Sequence, residues 1–310
     1  MLKPPFINQL PPFSKLLLLI LLVFSCAIFT LFLGILMGTF FWGSNIMGNL
    51  ASIDAADSSS IALQKYFQIV SQFGMFIFPV LLFAFLDGGN ISSYLKINIK
   101  PSLRILILSG CCILLALPFI NFLSEINMKM KLPESFAGIE QWMRESEDKA
   151  GQVTVMFLNV STIWGFLINL FMIGIIPAVG EEFLFRGVVQ PLFFKWTKNI
   201  HVAVIISAFL FSAIHFQFYG FIPRFLMGVL LGYSFVWTGS LWVPIFIHFV
   251  NNSAAVIVSY LVNNQSASNA FDTIGTGENA LMPVIISIIF TTTTLFLIYQ
   301  ISKKKNIHIL

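Results

Sequence analysis

Charge is what this sequence has least of. Asp, Glu, Lys and Arg make up 10% of its 310 residues, against about 25% in a water-soluble globule. No polar stretch is long enough to build a core, which excludes a separate soluble domain within these residues. Cysteine is scarce as well. Cys26, Cys111 and Cys112 lie in apolar runs without metal-type spacing, so they read as small packing residues rather than a metal or redox centre. HExxH does not occur, and with it goes the commonest zinc-protease signature. The net charge of +4 is too small to argue for nucleic acid as a partner and fits a topology signal instead. Internal repeats and low-complexity tracts are absent.

What the chain has in excess is apolar sequence, 57% of residues. A spanning helix needs about 20 such residues. The expected fold is all-α, a polytopic membrane bundle with about eight spans: 16–42, 66–86, 105–124, 153–178, 202–218, 224–239, 241–262 and 281–302. The run after Lys15 opens like a secretory or lipoprotein signal, yet it continues to Trp42. That exceeds a signal h-region of about 7–15 residues, so a retained span is expected. The fourth run continues through Pro177 and Gly180 to Trp196, too far for one straight crossing, and a bend or break is expected near Pro177–Gly180. Three regions follow: N-terminal spans in 1–150, a core in 151–265, and a last span with a basic tail in 266–310. In 132–149, Phe136, Ile139 and Met143 share one face opposite acids, as in a helix lying on the outer surface; a solvated loop is the alternative.

Eight spans put both termini on one side. With that side cytoplasmic, Lys3, Lys15, Lys96, Lys100, Arg104, Lys195, Lys198, Lys303, Lys304 and Lys305 all fall inside, as the positive-inside rule requires. The expected location is the cell membrane, multi-pass.

Against this background "PAVGEEFLFRGVVQPLF", residues 177–193, carries three charges that a bilayer penalises. Arg186 lies four residues after Glu182, on the same helical face, and can pair with it. Glu181 points roughly 140° away at 100° per residue and needs another partner. Two of the four histidines lie in apolar runs, His215 and His248. Glu181 lies 17 residues before Lys198 and His215 17 after it, so an antiparallel hairpin turning there brings them to one depth. Asn252 is one turn after His248 on its face, with Asn251 about 100° away. Phe211 is one turn before His215 and can wall its ring. His248 follows the turn at Ser240 by only eight residues; equal depth requires that turn to be recessed.

A carboxylate, two imidazoles and a carboxamide in an apolar setting suit hydrolytic acyl chemistry. Glu181, helped by His215, can take a proton from water. His248 and Asn252 can donate to an oxyanion. Alternatively Glu181, His215 and His248 can hold one divalent metal, zinc above all, that activates the water. Buried carboxylates and histidines also mark proton-coupled transporters, and a non-enzymatic immunity protein is a third reading. Gly228 and Gly232 form GxxxG, suited to close helix packing within the chain or in a dimer.

The ordered set "EEFLFRG" (181–187), "FSAIH" (211–215) and "HFVNN" (248–252) resembles the CPBP family, the CAAX protease and bacteriocin-processing or Abi family, with its EExxxR, FxxxH and HxxxN/D motifs. The resemblance covers about residues 160–262. It implies an intramembrane endopeptidase acting on a membrane-associated or lipidated peptide or protein, or a role in bacteriocin maturation or immunity. It assigns Glu181 and His215 to water activation, His248 and Asn252 to the oxyanion or a metal site, and Glu182 and Arg186 to a supporting pair.

Overall fold

A computed structural model of the chain describes residues 6–51, 57–261 and 273–303; Lys3, Lys304 and Lys305 of the basic ends lie outside them. Among the described residues there is no strand. Seven helices are long and apolar enough to cross a membrane: α1 (Pro12–Trp42), α2 (Ser58–Gly88), α3 (Leu103–Met128), α5 (Ile163–Thr197), α7 (Phe221–Thr238, entered through a 3-10 turn at Phe218–Gly220), α8 (Trp242–Leu261) and α9 (Leu281–Lys303). Between them lie α4 (Ala137–Leu158) and the shorter apolar α6 (Ile200–Ala213). With α6 counted, this is the expected bundle of about eight spans.

Exposure sorts the helices. On α1, Phe24, Phe32 and Phe40 point outward, as do Ile285, Phe290 and Phe296 on α9; lipid tails favour such a surface as water would not. α5 is the opposite. Every residue from Gly180 to Gln190 is buried, and Phe183, Phe185 and Val188 pack with Phe76 and Val80 of α2, Phe211 of α6, Phe235 of α7 and Ile245 of α8. The charged motif therefore occupies the bundle's axis.

Of the bend or break expected near Pro177–Gly180, the break does not occur. α5 runs unbroken because it widens before each proline. A π-turn at Leu170–Ile175 precedes Pro177, and a second at Phe185–Val189 precedes Pro191. α2 repeats the device, with a π-turn at Phe73–Ile77 before Pro79. Proline lacks the N–H donor and its ring crowds the carbonyl four residues back; a wider turn makes room without ending the helix. Residues 153–158, expected to open this span, instead end α4.

The fifth span is also shorter than expected. α6 stops at Ala213 rather than reaching 218. At 1.5 Å per residue its 14 residues extend about 21 Å, short of a hydrocarbon core of about 30 Å. His215 Nδ1 donates to Phe211 O (2.8 Å) and Ser212 Oγ to Phe221 O (2.8 Å), while Phe216 takes a left-handed φ of +53°. The chain folds back there into α7. His215 thus lies past the helix end, in the turn, and not inside a helix.

The small residues Gly228 and Gly232 serve contacts within the chain. Side chains there would collide with Ala208 and Val204 of α6. Their carbonyls are free to accept from α5: Arg186 Nη2 donates to Gly228 O (2.9 Å) and Gln190 Nε2 to Gly232 O (3.3 Å). The α7–α8 turn is recessed, as equal depth requires. Ser240 and Leu241 are wholly buried beneath the 95–101 segment, where Leu241 N donates to Lys96 O (3.4 Å) and Trp242 Nε1 to Ile97 O (2.8 Å).

Candidate active site

The two adjacent glutamates have separate surroundings. Glu182 is fully buried, and its Oε1 accepts from Arg186 Nη1 at 2.7 Å, the i,i+4 pair expected from spacing. The same oxygen accepts from His248 Nδ1 at 3.0 Å. This second bond, across 66 residues of sequence, was not foreseen; it makes Glu182 the residue that orients His248 as well as the partner of Arg186. The Arg186 guanidinium also lies over the Phe211 ring at 4.7 Å.

Glu181 turns the other way and lines a cavity of ≈ 940 Å³ together with Phe211, His215, His248, Asn251 and Asn252. Its Oε2 lies 4.0 Å from His215 Nε2 and 3.9 Å from His248 Nε2. Phe211 stands between the imidazoles as a wall, edge-on to both, at 5.4 Å and 5.8 Å between ring centres.

The hydrogen bonds assign the tautomers. A main-chain carbonyl only accepts, so His215 carries its proton on Nδ1; an ionised Glu182 imposes the same on His248. Both Nε2 atoms then present lone pairs toward Glu181 Oε2, which is buried and, among the described residues, without a hydrogen-bond partner. Three acceptors thus face one another with no donor between them. A water, which donates two protons, answers that need. The two-imidazole, one-carboxylate set is also that of catalytic zinc sites. The separations are wider than the roughly 3.3 Å edge of a tetrahedron with metal–ligand bonds of about 2.0–2.1 Å, and among the described residues no group of three or more such side chains has ligand spacing. The spacing suits water.

Asn252 reaches the same cavity, but its Nδ2 donates to Ile173 O (3.1 Å) in the first π-turn of α5, and its Oδ1 accepts from Asn251 Nδ2 (3.2 Å). Asn251, expected to point elsewhere, lines the cavity beside it. The His248 reading changes too: with Nδ1 on Glu182, it can donate from Nε2 to an oxyanion only as imidazolium. None of the three cysteines lines the cavity. Residues passed over at the sequence level also do: Gln72 of α2, Lys149 and Thr154 of α4, Gln217, and Arg224 of α7. Arg224 carried a usable signal, a charge inside an apolar span.

Fold and site together define a polytopic helical membrane protein with a glutamate–histidine cluster buried on its axis. Residues 163–254 match the model of the Rce1-like family, described as type II CAAX prenyl endopeptidase. Among curated proteins, the chain is 35% identical over 100 residues to the membrane-embedded CAAX protease MroQ of Staphylococcus aureus (strain USA300), covering 30% of this chain and 40% of that one. It is 33% identical over 86 residues to the uncharacterized protein YpbD of Bacillus subtilis (strain 168), covering 26% and 41%. The chain thus spans about two fifths of the length of these curated relatives. No solved structure matches it.

Proposed function

We propose that the chain is an intramembrane endopeptidase that hydrolyses a peptide bond in a membrane-associated or lipidated peptide or protein. The carrying observation is the unpartnered Glu181 Oε2 facing two imidazole nitrogens at 3.9 and 4.0 Å on a cavity wall. A water held there donates to Glu181 and to His215 Nε2. As its oxygen attacks the carbonyl carbon, Glu181 takes the proton, and the C–O bond forms while the carbonyl π pair moves onto oxygen. His248, which takes up a proton at Nε2 from solvent in the cavity before the attack, and the second N–H of Asn252 stabilise that oxyanion. The C–N bond then breaks, and Glu181 returns the proton to the leaving amine.

Support for peptidase chemistry comes also from the match to the Rce1-like family over 163–254. If a divalent cation such as zinc resides in the protein, Glu181, His215 and His248 would hold it, and it would supply Lewis acidity. We further propose cytoplasmic termini, which put α4 and the cavity mouth on the outer side; labelling of single cysteines placed in α4 by an impermeant reagent on intact cells checks this. The functional test is cleavage of a peptide pool by the purified protein in nanodiscs. Glu181→Gln is expected to abolish it. Cleavage unchanged in that variant removes the hydrolytic reading in favour of a transporter or a non-enzymatic immunity protein.

A further inference from the structure

Arg224 stands in the first turn of α7 and lines the same cavity as Glu181, His215 and His248. Its guanidinium is fixed from one side. Nη2 donates to Gln217 Oε1 at 2.6 Å and Nη1 to Gln217 O at 3.4 Å. The group lies over Gly220, where an added Cβ would come within 2.8 Å of Nη2. A guanidinium has five N–H donors, and these bonds use two.

Arg186 and Arg224 make an instructive contrast. Arg186 is matched by Glu182 within the protein. Among the described residues Arg224 has no carboxylate within ion-pair distance. Glu147 of α4 and Glu181 act on Arg224 only from beyond that distance, and Glu147 Oε2 also accepts from Tyr219 N at 3.2 Å. Lys149 of α4 adds a second cation to the lining. A half-buried cation lining a cavity is costly unless an anion meets it. A fixed planar fork is the shape that receives a carboxylate through two parallel hydrogen bonds.

We propose that Arg224 is a specificity residue that binds a carboxylate of the peptide in the cavity, with Gln217 and Gly220 as its positioning residues. This carboxylate is either the peptide's C-terminus or an Asp or Glu side chain. The proposal rests on the peptidase reading for its substrate, but its test separates the two.

The full chain in nanodiscs is given three randomised decapeptide pools: C-terminal acids lacking Asp and Glu, C-terminal amides lacking Asp and Glu, and C-terminal amides containing them. Cleavage is read by mass spectrometry for the unsubstituted protein, and retention on immobilised Glu181→Gln protein reads binding without turnover. A charge-assisted pair lost to an uncharged group predicts a preference of roughly 10- to 100-fold over the carboxylate-free pool. The pool that shows it identifies the source. Arg224→Gln, made alone and in the Glu181→Gln protein, is expected to bring both ratios close to one, and Arg224→Lys to keep part of the preference. Each ratio is internal to one protein, so a partial loss of folding cancels. No preference in the unsubstituted protein, or a preference that survives Arg224→Gln, overturns the assignment. Carboxylate-dependent retention without cleavage of any pool overturns the peptidase reading and leaves the Arg224 site standing. Absence of both overturns both.

Discussion

Glu181 and Glu182 are neighbours with the same side chain, and exchanging each for glutamine should break the protein in different ways. Glu182 is fully buried and neutralises Arg186, also fully buried, at 2.7 Å. Glu182→Gln keeps the shape and one oxygen acceptor but leaves the guanidinium uncompensated. Removing one partner of a buried pair costs about 3–5 kcal/mol. At roughly 2–4 °C per kcal/mol for a chain of this order, Tm should fall by about 6–20 °C. Among the described residues Glu181 pairs with no Lys or Arg in this way, and its Oε2 has no hydrogen-bond partner. Glu181→Gln should therefore leave Tm within a few degrees and remove cleavage. The assay is a thermal unfolding series in one detergent, followed by intrinsic fluorescence, with cleavage of one peptide pool measured alongside. A third variant, Glu182→Leu with Arg186→Met, removes both charges. Replacing a whole buried pair by apolar groups is often close to neutral, so most of the lost Tm should return. Activity should not, because His248 Nδ1 has lost the oxygen that orients it at 3.0 Å. Equal destabilisation by the two single glutamine variants, or a neutral Glu182→Gln, would refute this division of labour.

Lys65 is buried in α2 and held by Asn169 Oδ1 (2.7 Å) and Phe157 O (3.0 Å); Asn169→Leu should cost about 2–3 kcal/mol and speed proteolytic nicking between α4 and α5, read on gels over time. Gly228→Val should destabilise by about 1–3 kcal/mol through overpacking against Ala208 and lower activity by displacing Arg186, whereas Gly138→Ala, where a Cβ meets nothing within 4 Å, should be neutral in both assays. Elemental analysis of protein purified without chelator tests the alternative metal site: the separations at Glu181, His215 and His248 lead us to expect metal well below one equivalent and full activity after chelation, whereas metal near one equivalent that falls sharply in His215→Ala would return the chemistry to a bound ion.

Much of the candidate site is legible in linear sequence because membranes make polar residues conspicuous. The Glu182–Arg186 pair follows from helical spacing, and the approach of Glu181 to His215 follows from counting equal distances either side of Lys198. What escapes such counting is set by other forces. The continuity of α5 depends on π-turns, which relieve the backbone clash of the following proline; the proline marks the place, but hydrophobic periodicity does not tell a widened turn from a break. The stop of α6 at Ala213 comes from His215 and Ser212 bonding to carbonyls; the apolar run through 218 gives no hint of it. The Glu182–His248 bond and the burial of Ser240 beneath the 95–101 segment are tertiary contacts between distant stretches. Arg224 is visible as a charge at the head of an apolar span, but outside any motif.

The π-turn at Leu170–Ile175 has a mechanical meaning. An α-helix that stretches one turn over an additional residue holds slack, which an in-frame loss of a single codon there would take up. The half of α5 from Pro177 onward is clamped by the Glu182–Arg186 pair and by Gly228 O. Because the wide turn already absorbs the additional residue, its loss would restore an ordinary α-turn and leave both halves facing as before, Asn169 toward Lys65 and Glu181 toward its imidazoles. The helix thus carries a spare residue at one turn, and its length can change by one position without re-aiming the residues around the water.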